Sequence, residues 1–504
     1  MRVTMAEPLL IGIDLGTTNG KVACFDQGGH LMAEAVHTYP TRFPHYGWYE
    51  QDPNDWRVAL ECGLKEVSVS LGDRASDVAG LAVSNFGPGL VMIDQAGDPL
   101  YPCPTWQDER CRSQGELLVE KLGTNWIGLG PPLLGFPAKL LWAKEETPEL
   151  VARADQITDI KGFLMNWLTE RAVTDPSSGP GARSWWDPVF EFIGWPVERL
   201  PYILMATESA GGLQAGLANR VGLKPGLPVF VGVNDGAAAT LGSGAVNLLD
   251  SVITLATNGA CRIVVPNRLD PKIILARHLF SWPFVGESWI CGGFTCSGAG
   301  SLQWLADQFS LPRDQDAYDA LLEKASAVPP GCRGLLFLPY LAGRGTPQAD
   351  PNLRGGFVNV GLEHGHGELA RSVLEGISFA VGEIYEEFTQ LNFEIGEIRI
   401  TGGGARSRLW RQILADVLER PLLRAGRDST LGNAMIAAIG LGYYSDFPSA
   451  ANAMVRRLDY EKPEESDVLI YRRLYQVFAQ TRDILLRTPR FQQPEESHPL
   501  GGSR

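Results

Sequence analysis

Leu10-Ile11-Gly12-Ile13-Asp14-Leu15-Gly16-Thr17-Thr18-Asn19-Gly20-Lys21-Val22-Ala23-Cys24-Phe25-Asp26 opens the chain with an apolar run, a small polar turn and a second apolar run. The order returns midway as Ser251-Val252-Ile253-Thr254-Leu255-Ala256-Thr257-Asn258-Gly259-Ala260-Cys261-Arg262-Ile263-Val264-Val265. Asn-Gly between two β-branched runs marks a hairpin, because both residues tolerate φ > 0. Small residues at such a turn leave backbone N–H groups and threonine hydroxyls open to a phosphate. Two such turns, one in each half, imply a duplicated protein that grips one polyphosphate between its lobes.

Around each hairpin the sequence alternates between strand and helix patterns. In the first half, Asp52-Pro53 opens a helix over 53–72 with Trp56, Leu60 and Val67 on one side. Strands are expected at Val78 to Val83 and Leu90 to Asp94, punctuated by Gly87-Pro88-Gly89, and helices at 110–122, 137–145 and 159–169. Residues 174–188, rich in Ser, Gly and Trp, read as loop. Pro228 to Val233 is a strand that runs straight into Asn234-Asp235-Gly236-Ala237, a strand–turn–helix with small residues at the turn. The second half repeats the logic. Its expected elements are an apolar segment at 288–296, a Gly298-Ala299-Gly300 turn before a helix at 301–309, and a strand at 334–339. A long helix at 368–391 and the strand Ile398–Ile400 follow, the latter meeting Thr401-Gly402-Gly403-Gly404. The class is therefore α/β, with mixed rather than purely parallel sheets because hairpins feed them. The last seventeen residues, 488–504, are poor in apolar side chains and read as a frayed tail.

Totals bound the function. With 504 residues, two or three domains are expected. A net charge of −14 argues against a nucleic-acid or anionic-membrane surface, yet leaves room for a nucleotide held by local backbone dipoles and a cation. The eight cysteines form no Cys-x-x-Cys and read as reduced thiols of a cytoplasmic protein. The start of the chain lacks a signal-peptide pattern, and no apolar stretch reaches membrane-spanning length.

Four places could carry chemistry. Asp235 ends a buried strand, where open α/β sheets place ligands; it reads as a general base for phosphoryl transfer or as a plain helix N-cap. Asp14 faces the Gly-Thr-Thr turn and suits Mg²⁺, or simply forms the turn. Lys21 could neutralise a phosphate or stay solvated. Gly402-Gly403-Gly404 lets backbone approach a flat ligand, or is a tight turn. His364 and His366 lack an obvious third ligand and read as a surface turn. The P-loop, nucleophile-elbow and His-Glu-x-x-His patterns are absent.

Taken in order, several of these stretches resemble the FGGY family of carbohydrate kinases over roughly residues 9–455. The resemblance rests on Gly12–Thr18, Gly47–Pro53, Trp106–Arg110, Gly232–Ala237, Leu336–Gly343, Glu368–Gly376 and Thr401–Ser407. It implies two actin-like, ribonuclease-H-like domains, a sugar-binding one at 8–247 and a nucleotide-binding one at 248–487, with the ligand cleft between them. By the same resemblance, Asp235 is the general base, and Asp14 and Asp235 lie near Mg²⁺. Thr17, Thr18 and Lys21 sit by the ATP phosphates opposite the Thr257 turn, and Gly403, Gly404 and Ser407 lie on the adenosine side. Gly87, Pro88, Trp106, Asp108 and Asp235 face the sugar. Members are often homodimers.

Departures from the pattern bear on the sugar. Gly87-Pro88-Gly89 stands where xylulose kinases carry Met-His-Gly, and the Asn-Gln-Arg-Glu run of glycerol kinases is missing. Gly345, Asn359 and Ala256 also depart. The implied activity is MgATP-dependent phosphorylation of a pentulose such as xylulose, with gluconate or a polyol as the alternative. A rival from another class is an actin-like nucleotide switch without a sugar.

Overall fold

The computed structural model describes residues 7–127, 133–179 and 186–488. The expected frayed tail lies outside these residues apart from Thr488, as does 180–185 of the expected loop.

Both hairpins form, turning at residues 16–18 and 256–258, with neither Asn-Gly pair at positive φ because Asn19-Gly20 and Gly259 already belong to the return strands. Leu9–Leu15 pairs antiparallel with Asn19–Phe25, and Ser251–Leu255 pairs antiparallel with Gly259–Val265. Each hairpin sits within a mixed sheet, and the two sheets share one plan. In the first, Leu31–Thr38 extends the hairpin antiparallel on one side. On the other side Val78–Asn85 and then Pro228–Phe230 run parallel to Leu9–Leu15, and Ser209–Gly212 closes the edge antiparallel. The second sheet places Trp289–Thr295, Ile398–Thr401, Leu422–Ala425 and Arg457–Glu461 in the corresponding positions with the same senses, and adds Phe280–Pro283 beyond Trp289–Thr295. The duplication read from two turns is thus carried by six strands in each lobe.

Helices cover the sheets where the apolar spacing demands. Pro53–Leu71 is capped by the Asp52 carboxylate, which accepts from the Asn54 N–H at 2.9 Å, and buries Trp56, Leu60, Leu64 and Val67. His366–Gln390 lays Val373, Ile377 and Ile384 into the second core. Each fully buried side chain of this kind contributes about 1.5–3 kcal/mol.

Two further helices mirror one another. Asp235–Gly242 follows the strand Pro228–Phe230, and Ser429–Gly440 follows the equivalent strand Leu422–Ala425. They cross in close contact, made possible by glycine. A Cβ on Gly432 would stand 2.1 Å from the Ala238 carbonyl oxygen, and one on Gly242 2.0 Å from that of Asp428. The helix Ser429–Gly440 also packs on the first sheet, although its sequence follows the second. Leu431, Ala434, Met435 and Ala438 share a core with Leu10, Ala23, Phe25 and Ala82. Gly12 admits this helix, since a Cβ there would lie 1.9 Å from the Thr430 carbonyl oxygen.

Candidate active site

The carboxyl ends of the first sheet's parallel strands converge on Asp14 and on the segment Asn234-Asp235. Asn234 caps the helix that Asp235 begins, its side chain accepting from Ala237 N–H at 2.7 Å. That leaves the Asp235 carboxylate free of the capping role. One of its oxygens accepts the Gly236 N–H at 2.7 Å, and the residue remains partly exposed. Asp14 is likewise partly exposed, with Ser84 Oγ donating to it at 2.5 Å.

The surroundings of both carboxylates disfavour charge. Desolvation, then the Asp235 charge, pushes Asp14 up to about 6, with hydrogen bonds from Ser429 and Ser84 pulling the other way. Desolvation raises Asp235 as well, offset by Arg262, the Gly236 N–H and Lys161. A divalent cation beside two such carboxylates would relieve both penalties, which is how these residues fit a divalent metal. Among the described residues no group of three or more acidic, histidine or cysteine side chains is poised as a metal cage. A hard divalent cation that keeps waters and phosphate oxygens in its shell suits such a place, since it needs few protein ligands.

Beneath Asp235 lies a polar network. Lys161, fully buried, donates to the carbonyls of Val83, Val231 and Val233 at 2.5, 2.8 and 3.0 Å. Its ammonium stands 3.7 Å from Asp175. Asp175 accepts from Ser177 N–H and Oγ, and Ser177 Oγ accepts from the Asn234 N–H at 2.8 Å. The two strand ends that position Asp235 are tied together by this chain.

The remaining expected residues divide. Thr18 and Thr257 are exposed at the tips of the two hairpins, and Thr17 is half-buried. Trp106 donates its indole N–H to Thr17 Oγ1 at 3.1 Å, and Tyr39 donates to the Gly16 carbonyl, so the first turn is braced from behind. Gly87 is reachable beside Ser178, and Pro88 is buried. Lys21 pairs with Asp428 at 2.5 Å and Glu34 at 3.3 Å, so a phosphate there competes with two carboxylates. Gly403 is open to solvent, with nothing where a Cβ would go. Gly404 is packed against Trp410 and Leu255, and Ser407 caps the helix Arg408–Leu418.

Asp108 is not brought together with the others. Its carboxylate is fully buried and holds Arg110 through two contacts of 2.7 Å and the Tyr49 N–H at 2.7 Å. Those bonds order the loop that carries Trp106. The two histidines differ as well: His364 Nδ1 accepts from Gly361 N–H in a turn, while His366 begins the long helix with its ring stacked on Phe309. A separate polar hollow of about 750 Å³, lined by residues that include Arg57, Gln95, Asn166 and Arg220, contains none of the cleft residues. Its arginines are already paired, Arg57 with Asp98 and Arg220 with Glu61.

Sequence reading missed Lys161, Asp175, Arg262 and the segment Asp428-Ser429-Thr430. Asn433 of the same helix donates to the Ile13 carbonyl at 2.7 Å and to Ser84 Oγ at 2.8 Å, so it too buttresses Asp14. The segment carried a usable signal: a cap residue and small side chains follow an apolar strand, as at Asn234-Asp235.

Two family models match along the chain, both of the FGGY family of carbohydrate kinases: the N-terminal domain over residues 9–242 and the C-terminal domain over 264–441. The chain belongs to this family. It is a sugar phosphotransferase, and the reading as a nucleotide switch falls. A xylulose kinase of Lactococcus lactis is 30% identical over 94% of this chain and 96% of its own length. A gluconokinase of Bacillus subtilis is 26% identical over 94% and 96%. The solved gluconate kinase of Lactobacillus acidophilus superposes with a TM-score of 0.84 over 96% of this chain and 99% of its own, at 24% identity, a likeness of fold. Among the described residues no helix is long and apolar enough to cross a membrane.

Proposed function

We propose that this FGGY kinase transfers the γ-phosphoryl group of MgATP to a hydroxyl of a pentulose such as xylulose. The observation that carries the reading is the pairing of Asp235 with Asp14 at the ends of the first sheet, with Asp235 relieved of its capping duty by Asn234. The first lobe receives the sugar beside Gly87 and Trp106. The second lobe offers the Thr257 turn and the open backbone at Gly403 to the nucleotide.

ATP supplies the phosphoryl group, and Mg²⁺ near Asp14 and Asp235 supplies positive charge. Asp235 orients the sugar hydroxyl and accepts its proton. Lys161 fixes the strand ends from below, so the carboxylate needs no rearrangement before reaction. Support for a pentulose comes from the xylulose kinases among the relatives. Gluconate stands second, since gluconokinases match over a similar length.

A coupled ADP-release assay across pentuloses, hexuloses, aldonates and short polyols tests the reading. Release with xylulose above the rest is expected; release with none of them would end it. Asp235→Asn should lower turnover by roughly 10²–10⁴-fold, with ADP binding retained in calorimetry. Near-normal turnover in that variant would remove Asp235 as the base.

A further inference from the structure

Arg262 occupies a place that ordinary packing does not explain. It lies on the second lobe's strand Gly259–Val265 yet reaches the first lobe. A Cβ added to Gly236, the residue after the base, would stand 3.1 Å from Arg262 Nε and 2.9 Å from the Trp282 ring. A side chain at 236 would crowd Arg262 and Trp282 where they stand beside the residue that follows the base. The hydrogen bond it makes among the described residues runs from Nη1 to Thr254 Oγ1 at 3.0 Å. Its Nε is shut off from water and finds no partner there, as is the Trp282 Nε1 beside it. Asp235 feels the charge without a direct ion pair. The guanidinium is part-buried, its Nε is closed off from solvent, and no anion is in contact with it among the described residues, although buried cations are normally paired.

The scaffold behind Arg262 belongs to the nucleotide side. Thr254, which receives its hydrogen bond, precedes the Thr257 turn in the same hairpin. Thr254 Oγ1 also lies 3.3 Å from Thr401 Oγ1, at the head of the Gly402–Gly404 run. The guanidinium is thus mounted on the lobe that offers the Thr257 turn and the glycine run, and is aimed at the lobe that holds the base.

From this juxtaposition, and resting on the kinase reading above, we infer that Arg262 is a catalytic residue that binds the phosphoryl group in transit between nucleotide and sugar. In the transfer, the sugar oxygen forms a bond to the γ-phosphorus and its proton passes to Asp235. The bond to the β–γ bridging oxygen breaks, and its electron pair stays on ADP. Arg262 neither gains nor loses a proton; it donates hydrogen bonds to the equatorial oxygens while charge spreads over them. The same cation could instead hold a substrate carboxylate, as in an aldonate, and the test separates the two.

Arg262→Met and Arg262→Lys are compared with the wild type on xylulose and gluconate. Binding of ADP is measured by calorimetry with sugar present, with and without aluminium fluoride as a mimic of the transferring group. The expected result is a fall in kcat of roughly 10³-fold or more for the Met variant on every accepted sugar, with ADP affinity unchanged. Aluminium fluoride should tighten ADP binding in the wild type and not in the Met variant, and Lys should restore part of both. Unchanged ADP binding shows that the variant is folded. Retained tightening by fluoride in the Met variant overturns the assignment. So does a loss confined to the KM of gluconate, which assigns Arg262 to a carboxylate. A wild type silent with every sugar fails the kinase reading itself, whereas an active wild type beside an equally active Met variant fails only the arginine.

Discussion

A lysine ammonium removed from water must find its hydrogen bonds in protein, and Lys161 finds them at three backbone carbonyls and opposite Asp175. Replacing it by Met removes the donor of those carbonyls and the ammonium 3.7 Å from Asp175. A buried pair broken on one side costs about 3–5 kcal/mol. Lys161→Met should therefore lower the unfolding free energy in urea by that amount, and a loss under about 1 kcal/mol would show that the carbonyls have other partners. Lys161 was invisible in the sequence because the three carbonyls that hold it lie 70 or more positions away in the chain. Asp235 was legible, since a polar residue at the junction of an apolar strand and a small-residue helix is a local pattern. Which of the adjacent pair Asn234-Asp235 does the capping was not legible, as both residue types cap well.

Helices and strands were the most readable scale, for reasons visible in particular elements. The apolar–polar–apolar order made both hairpins legible, although neither Asn-Gly pair adopts the positive φ expected of it, and Asp52-Pro53 marked the start of a helix that does begin at Pro53. The mirrored helix at Ser429–Gly440 escaped notice because it is apolar nearly all round, which leaves no stripe to read. Another element carries a pH signature. Asp159 caps the helix Ile160–Thr169, accepting from Gly162 N–H at 3.0 Å and from Thr174 Oγ1 at 2.7 Å. Burial outweighs these bonds and lifts its carboxyl from 3.8 to about 6. The folded state thus holds this proton more tightly than the unfolded chain does. The stabilisation is complete below about pH 4 and is lost as pH rises through about 6. Asp159→Asn keeps a cap and removes the titration. Relative to the wild type, it should gain on the order of 1–3 kcal/mol between pH 4 and pH 8, read from urea unfolding at the two pH values. A constant difference across that range would mean that the carboxyl titrates normally.

At the scale of the whole molecule, the lobes meet where Asp235–Gly242 and Ser429–Gly440 cross, with backbone against backbone at Gly242 and Gly432. Gly432→Ala puts a methyl carbon 2.1 Å from the Ala238 carbonyl oxygen, which the helices can accept only by moving apart. Overpacking of this kind costs about 1–3 kcal/mol, so the midpoint of thermal unfolding should fall by several degrees. An unchanged midpoint would mean that the crossing is looser than described. The two-lobed plan was legible from the repeated turn, whereas the exchange of a helix between lobes was not, since no local pattern says which sheet a helix will cover.

That exchange bears on how the protein is made. Leu10, Phe25 and Ala82 are covered by side chains from residues 431–454, more than 340 positions further along. During synthesis, the part of the first sheet's face covered by Ser429–Gly440 therefore stays open until almost the whole polypeptide has left the ribosome. A nascent chain halted before residue 429 offers an unprotected apolar surface to chaperones and proteases, and the early lobe cannot reach its final form ahead of the late one.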